Sequence, residues 1–142
     1  MELKKHIVYS VSEQIYCSSL ADVREVIKYR SASPVPEAPS YQEGIINLRG
    51  EVIPIINLSK KLNVEDGSNQ SKQTSIIIFS FDNNKIGIVV DNVIEVLSID
   101  VEDNNSSISQ NEYIGGAFIT EKYKTLISLD ISKLTYNIKQ AA

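Results

Sequence analysis

The chain repeats itself, and this internal repeat constrains its fold more than any other feature. Many residues recur at a constant offset of 70 positions. The matched pairs at this offset are Ser10 and Ser80, Val23 and Val93, Glu25 and Glu95, Val26 and Val96, and Ile27 and Leu97. The later stretch "IINLSKKL" recurs as "ISLDISKL" at a slightly larger shift. Similarity at a fixed period is typical of a duplicated unit.

The repeat predicts two similar halves, residues 1–66 and 67–142. Units of this size bury too little apolar surface to be comfortably stable alone. We therefore expect the halves to pack on a shared apolar layer around an approximate two-fold axis. A groove then forms at their junction, where binding sites are often found.

The local pattern favours short strands. "HIVYSV" (6–11) and "IYCSSL" (15–20) are predicted as paired strands, and "GIINLRG" and "EVIPIINL" as two more, joined at Arg49 and Gly50. Pro54 predicts an edge strand or a bulge for the last of these. A short helical turn with Asp22 as a possible cap is predicted at "LADVREVI" (20–27), and another after Leu58. The fold class is therefore all-β with short helical turns.

Two stretches do not fit a regular element. "SASPVPEAPS" (31–40) holds three of the four prolines, so it is predicted as an ordered connector or an edge strand. "NVEDGSNQSKQ" (63–73) is polar, contains a glycine and is predicted as a surface loop between the halves.

Composition argues against some classes of function for this protein. A net charge of -4 and a pI near 5.0 argue against a nucleic-acid partner, because such proteins carry a clustered positive field. The N-terminus "MELKKHIVYS" lacks the apolar core of a signal peptide, and no apolar run is long enough to span a membrane. We therefore expect a cytoplasmic protein without direct membrane insertion.

Motifs for enzymatic chemistry are mostly absent from the sequence. There is no phosphate-binding glycine motif, no C-x-x-C and no pair of histidines, so no cofactor or metal is expected. Cys17 is predicted to be a small buried hydrophobe, and the weaker alternative is a catalytic thiol with His6 as its base. A carboxylate-dependent hydrolase or lyase in the junction groove remains an alternative function. A barrel that binds single-stranded nucleic acid is a third hypothesis, which the acidic balance disfavours.

Four apolar residues follow the matched positions Leu20 and Val90: Val23, Val26, Val93 and Ile94. They are predicted to line the junction groove. The alternative is that they are simply core residues between the halves.

Four stretches resemble the chemotaxis coupling protein CheW and the related regulatory domain of the histidine kinase CheA. They are "VREVI", "PVPEAPSYQEGIINLRGEVIPIINL", "IGIVVDNVIEVLSI" and "LISLDISKL", and they cover nearly the whole chain. The resemblance implies one CheW-like domain over residues 1–142, built from two small five-stranded β-barrels side by side. It also implies that the first strand can cross to complete the second barrel.

The family is non-enzymatic and couples chemoreceptors to the kinase in membrane-associated signalling arrays. The resemblance therefore implies three partners: the helical hairpin tip of a chemoreceptor, the regulatory domain of CheA and other CheW copies in rings. On this basis we assign a receptor-binding groove with apolar anchors and a polar rim. Its residues are Tyr9, Leu20, Val23, Glu25, Val26, Arg49, Val93 and Ile94. Gly44 and Glu51 are assigned to a kinase contact.

Arg49 has two interpretations. Its guanidinium can pair with Glu25 or Glu51 and hold the corner, or it can reach carboxylate and backbone oxygens of a partner. We favour the partner contact, because arginine at the edge of an apolar patch often anchors an interface. The two roles are compatible, since a pair with Glu25 would orient the guanidinium.

The sequence departs from the family pattern in two places. "YCSSLADV" carries two serines where the family has a more apolar strand, and "VEDNNSSISQNEY" (101–113) lacks a proline often found there. We assign no site to the second segment.

Overall fold

The computed structural model of the protein describes residues 1–64, 72–103, 113–135 and 138. The strands are β1 (Leu3–Val11), β2 (Gln14–Ser19), β3 (Val23–Lys28), β4 (Gln42–Leu48), β5 (Glu51–Asn57), β6 (Ser75–Phe81), β7 (Asn84–Val90), β8 (Asn92–Asp100), β9 (Ile114–Thr120) and β10 (Lys124–Leu129). One helical turn, α1 (Leu58–Lys61), follows β5, and 3-10 turns occupy Leu20–Asp22, Val101–Asp103 and Ile131–Leu134. The predicted all-β fold is confirmed.

The strands form two five-stranded sheets with the same internal order. Sheet A runs β8-β1-β2-β10-β9, and sheet B runs β3-β6-β7-β5-β4. In each sheet one pair of strands is parallel, β10 with β2 and β5 with β7, and the other pairs are antiparallel. Each strand of sheet A therefore has a counterpart in sheet B.

The strand register repeats the duplication residue by residue. His6 of β1 lies opposite Ser19 and Leu97, and Ile76 of β6 lies opposite Val89 and Ile27. All three matched pairs are 70 positions apart, as read from the sequence. The duplication is therefore confirmed in three dimensions.

The chain crosses between the sheets twice. β1 and β2 belong to sheet A, together with the last three strands, whereas β3 to β7 form sheet B. The first crossing is the 3-10 turn at Leu20–Asp22, and the second is the step from β7 to β8 at Asp91. The two crossings occupy matched positions in the repeat, so β3 and β8 are corresponding edge strands.

Sheet B curls so that its two edge strands approach each other. Ser33, beyond the end of β3, exchanges backbone hydrogen bonds of 2.8 and 2.9 Å with Ile45 of β4. Among the described residues, no continuous ladder joins β3 to β4 or β8 to β9. The expected five strands in each half are confirmed, but the sheets are not closed barrels.

Three apolar clusters hold the molecule together. One lies within sheet A around Val8, Phe118 and Leu126, and one lies within sheet B around Ile53 and Ile76. The largest cluster joins the two sheets. It draws fully buried side chains from both, so the shared layer expected from the size of the halves is present. Burial of this kind is the main source of fold stability.

The prediction of a helical turn at residues 20–27 was correct for the first three residues and wrong for the rest. Only Leu20–Asp22 is helical, and the cap is Ser19, whose Oγ accepts a hydrogen bond from the Ala21 N–H at 3.3 Å. Val23–Lys28 is β3, paired with β6. The spacing between the apolar residues Val23 and Ile27 fits both the helical period and the strand period. Pairing with β6 makes the segment a strand.

Pro54 does not mark an edge strand, because β5 lies between β4 and β7. The reason is the short parallel pairing of β5 with β7, which begins at Ile55 and ends at Asn57. Pro54 lies just before that pairing, where the missing N–H interrupts no ladder bond.

Two predicted loops fall largely outside the described residues: positions 65–71 of the polar segment and positions 104–112 of the segment without a proline. Within the described residues, no helix has the length and apolar content that crossing a membrane requires.

Candidate functional site

The edge strand β3 carries the first part of the site. Its side chains alternate between half-buried and exposed, with Arg24, Val26 and Lys28 on the exposed face. Val26 keeps 43% of its surface exposed, which is high for a β-branched apolar residue in a strand. On the other face, Val23 packs against the cluster between the sheets. β3 therefore presents an apolar side chain between two cations.

The corresponding edge strand β8 presents a second exposed apolar row. Ile94 is 37% exposed and Val96 is 48% exposed, two positions apart on the same face of the strand. Val93 lies opposite Tyr9 of β1 and packs against the cluster between the sheets. The apolar side chains that sequence reasoning placed in one groove thus lie on two edge strands that belong to different sheets.

Arg49 stands at the tip of the β4–β5 hairpin. Its φ of 51° is in the left-handed region, and Gly50 follows with a φ of 86°. The turn is held by the Asn47 side chain, whose Oδ1 accepts a hydrogen bond from the Gly50 N–H at 3.0 Å. The Arg49 guanidinium pairs with Glu25 of β3, while 68% of its side chain remains exposed. The predicted pair with Glu25 is therefore present, and the guanidinium is still accessible.

Cations surround Glu51 on the same hairpin. Lys85 forms an ion pair with its carboxylate, and Arg24 and Arg49 lie close enough to act on it. The hydrogen bond from Lys85 and the three positive charges hold the pKa of Glu51 below its ordinary value. The surface around β3 and this hairpin is thus locally basic in a protein whose net charge is -4.

Sheet A repeats the arrangement with different residues. Glu95, the counterpart of Glu25, pairs with Lys122 of the β9–β10 turn at 2.5 Å, and the Tyr123 hydroxyl also donates to it. The hydrogen bond from Lys122, followed by that from Tyr123, holds the pKa of Glu95 below its ordinary value. A glutamate on the edge strand bound to a cation in the opposite hairpin is therefore common to both halves.

Of the predicted site residues, Val26, Ile94, Glu51 and Arg49 lie at the surface, and Leu20, Val23, Glu25 and Val93 are half-buried. Tyr9 was placed wrongly. Its side chain is completely buried in the cluster between the sheets, and its hydroxyl lies 2.7 Å from Ser18 Oγ. It leaves no surface for a partner to contact, so it is a core residue.

Gly44 was also placed wrongly as a kinase contact. It is buried, has a φ of 147°, and faces the backbone of the proline-rich connector. A Cβ at this position would lie 2.1 Å from the Ser33 carbonyl oxygen. The glycine is therefore required for the close approach of the connector to β4.

Sequence reasoning missed several exposed apolar residues and two lysines of ion pairs. Val52 is 43% exposed beside Glu51, and Ile119 on β9 is 82% exposed. Val96 could have been found, because it matches Val26 at the repeat offset. Lys85 and Lys122 gave no such signal, since their partners are distant in the sequence.

Two chemical alternatives can be compared with the described residues. No group of three His, Cys, Asp or Glu side chains in that part of the chain is close enough together to bind a metal ion. Cys17 is fully buried, as predicted, and burial raises the pKa of its thiol to about 12. Such a thiol stays protonated at neutral pH and is a poor nucleophile.

Comparison with known proteins gives a consistent set of relatives. A family model described as the CheW-like domain matches residues 5–139. The chemotaxis protein CheW of Treponema pallidum is 33% identical over 135 residues, covering 90% of this chain and 79% of that protein. CheW of Thermotoga maritima is 31% identical over 133 residues, covering 92% of this chain and 86% of that protein. The crystal structure of the scaffolding protein TtCheW from Thermoanaerobacter tengcongensis superposes with a TM-score of 0.82 at 35% identity, covering 90% of this chain and 89% of that one.

Proposed function

The chain belongs to the family of CheW-like domains, and from this premise we propose that it couples chemoreceptors to the histidine kinase CheA by binding both. Membership makes it a non-enzymatic chemotaxis scaffold, so the hydrolase alternative is set aside. We further propose that residues 1–142 act as one domain in the cytoplasm and reach the membrane only through receptor arrays.

The observation that supports this proposal best is the pair of exposed apolar edge strands. Val26 on β3 and Ile94 and Val96 on β8 remain exposed, and each lies on an edge strand beside charged side chains. Exposed apolar side chains flanked by charges are typical of interfaces with a helical partner. We assign the receptor hairpin to the surface that contains Val26, Glu25 and Arg49, with half-buried Leu20 and Val23 beneath it.

For the second strand, we propose that Val93 and Ile94 complete the receptor-binding groove from the side of β8. Val93 is anchored in the cluster between the sheets, so it fixes the position of the exposed Ile94 beside it.

The kinase contact is assigned to the hairpin next to Arg49. Glu51 is exposed and held by Lys85, and Val52 offers apolar surface beside it. A patch that mixes charged and apolar side chains is suited to a weak contact, and additional copies of the chain can occupy equivalent contacts in rings. Several weak contacts made at once give a stable assembly, because each later contact forms at high effective concentration.

Co-sedimentation tests the proposal. The purified protein is mixed with receptor cytoplasmic fragments assembled on vesicles and with CheA, and both pelleted protein and kinase activity are measured. We expect the protein to pellet only with receptor-coated vesicles, CheA to pellet only when both the protein and the vesicles are present, and kinase activity to rise when all three are present. Absence of co-sedimentation with either partner, in a mixture that a known CheW activates, would contradict the proposed function.

A further inference from the structure

A pocket of about 280 Å³ lies at the seam between the two sheets, beside the 3-10 turn at Leu20–Asp22. Sheet A contributes His6, Ser18 and Ser128, and sheet B contributes Phe79 and Phe81. Asp22, in the turn between β2 and β3, and Asp130, directly after β10, also line the pocket.

The pocket breaks the internal symmetry of the molecule. His6 matches Ile76 in the repeat, and Ser18 matches Ile88, according to the strand register. In sheet B these isoleucines are completely buried in apolar clusters. In sheet A the same two positions carry side chains that form hydrogen bonds, although the matched positions of sheet B accommodate isoleucine. Ser18 has a role in the core, because its Oγ lies 2.7 Å from the buried Tyr9 hydroxyl and donates to the Leu129 carbonyl at 2.9 Å, so His6 is the polar residue that the core does not require.

His6 presents an unused acceptor to the pocket. The residue is only 5% exposed, and its Nδ1 lies 3.0 Å from the Lys4 carbonyl oxygen. Because a carbonyl only accepts, Nδ1 carries a proton, and in the neutral imidazole Nε2 then has a free lone pair. Among the described residues, Nε2 has no hydrogen-bond partner. A nitrogen lone pair in so enclosed a place favours a ligand that donates a hydrogen bond.

The charges of the pocket point to the same kind of ligand. No lysine or arginine is among its lining residues, whereas two carboxylates are. The Asp130 carboxylate accepts hydrogen bonds from the Ser132 N–H at 3.1 Å and the Ser132 hydroxyl at 2.6 Å. Asp22 has no such partner in the described part of the chain, and burial together with the charge of Asp130 raises its pKa. The wall therefore carries uncompensated negative charge.

From these observations we propose that the seam pocket binds a guanidinium group. Its N–H groups donate to Asp22, to Asp130 and to His6 Nε2. Phe79 and Phe81, whose rings are stacked with centroids 6.1 Å apart, provide an aromatic wall for the cation.

Geometry favours a guanidinium over other cations. The acidic and imidazole groups of the described residues do not converge closely enough to hold a metal ion at one point. An ammonium nitrogen directs all three of its donors from a single point. A guanidinium carries five donors spread over a rigid plane, so it can satisfy acceptors that lie apart. The same group occurs on small molecules and on the arginine side chains of proteins.

Binding is tested by backbone amide NMR shifts of the folded full-length chain, followed at Gly115 and Ser128. The small-molecule probe is N-ethylguanidinium, with N-ethylurea as its neutral isostere and n-propylammonium as the single-nitrogen cation. The protein-derived probe is the blocked tripeptide acetyl-Gly-Arg-Gly-amide, with its citrulline analogue as control. We expect saturable shifts with the guanidinium probes and none with the urea, citrulline or ammonium compounds.

Which probes bind identifies the source of the group. Binding of both guanidinium probes supports an arginine side chain of a partner, and binding of N-ethylguanidinium alone supports a small molecule. If neither binds, or if the urea binds equally well, the proposal is overturned.

Two variants test the residues. Asp22→Asn removes one charge from the half-exposed wall and should weaken guanidinium binding by about tenfold or more. Its control, Glu121→Gln, removes the same charge from an exposed turn of sheet A and should leave binding unchanged. His6→Ile installs the residue found at the matched position of sheet B, so it should fold and lose binding. Unchanged affinity in Asp22→Asn would overturn the assignment, whatever the folding of His6→Ile.

Discussion

Glu25 of β3 and Arg49 of the β4–β5 turn form an ion pair that connects the two edge strands of sheet B. Farther along the same seam, the backbone pairing of Ser33 with Ile45 makes a second connection. Glu95 and Lys122 form the equivalent ion pair between the edges of sheet A. In each sheet, a surface ion pair thus links the two open edges.

Replacing Arg49 by alanine should separate its two roles. The side chain is 68% exposed, and exposed ion pairs contribute about 0–1 kcal/mol, so Arg49→Ala should lower the free energy of unfolding by no more than about 1 kcal/mol. Kinase activation in a reconstituted receptor mixture should fall strongly, because a partner loses the forked donor. Urea unfolding and a kinase assay measure the two effects.

Lys122→Ala is the matched control, because it removes the corresponding cation from sheet A. It should have a similarly small effect on stability and a much smaller effect on kinase activation than Arg49→Ala, because Lys122 is not among the proposed contact residues. If Arg49→Ala activated kinase as well as the parent, the partner contact of Arg49 would be excluded.

A charge on the exposed face of β3 should disrupt receptor binding without unfolding the protein. Val26 is 43% exposed, so Val26→Asp buries no new charge in the free protein. In the complex the aspartate would be desolvated against apolar surface, which should weaken affinity for a receptor hairpin by about tenfold or more. Titration by fluorescence anisotropy measures this loss.

Ile119→Asp serves for comparison, since Ile119 is 82% exposed on β9 of the other sheet. It should bind the hairpin as the parent does. Equal losses in the two variants would show that the effect of Val26→Asp is not specific to the proposed receptor-binding groove.

Gly44→Ala should destabilise the fold severely. The new Cβ would lie 2.1 Å from the Ser33 carbonyl oxygen at a φ of 147°, so the connector must move away from β4. We expect a loss of about 2–4 kcal/mol in the free energy of unfolding, measured with urea. Gly115→Ala is the control, because its nearest contact would be an ordinary 3.6 Å and it should cost less than about 1 kcal/mol. Comparable losses would mean that the connector is not held against β4.

Stability should decline at alkaline pH partly because of Cys17. Burial raises the pKa of this thiol from 9.0 to about 12 in the folded chain. Between these values the unfolded chain releases the proton while the folded chain retains it. Each rise of one pH unit then lowers the free energy of unfolding by at most about 1.4 kcal/mol.

Cys17→Ala removes this titration, so the decline in the free energy of unfolding between pH 9 and 12 should become shallower. The comparison uses slopes, because the smaller side chain also lowers stability at every pH. Identical slopes for the two proteins would show that the thiol ionises equally in both states.

The hairpins could be predicted from local pattern because their signals are local. The corner at Arg49 and Gly50 needs positive φ values, and β-branched residues flank it on both sides. Asp82 and Asn83, between β6 and β7, also have positive φ values. The relation between β3 and β8 was visible as well, because their residues match at one offset.

Residue exposure was harder to predict. Tyr9 and Val26 both look like apolar anchors in a strand, yet Tyr9 is completely buried and Val26 is 43% exposed. Alternation shows that neighbouring side chains point to opposite faces, but it does not show which face another sheet will cover. Tyr9 lies in an interior strand that faces the second sheet, and Val26 lies on an edge.

By itself, the sequence determined that the protein is a tandem of related β units with an arginine at a hairpin tip. Repetition, turn residues and side-chain alternation are properties of the order of residues, so they can be read from the sequence alone. Only the tertiary structure decided that β1 and β2 join the last three strands, that the tip of one hairpin meets the opposite edge of its own sheet, and that a polar pocket opens on one side of the seam. These features depend on contacts between residues far apart in the chain, whose partners are selected by the packing of whole sheets.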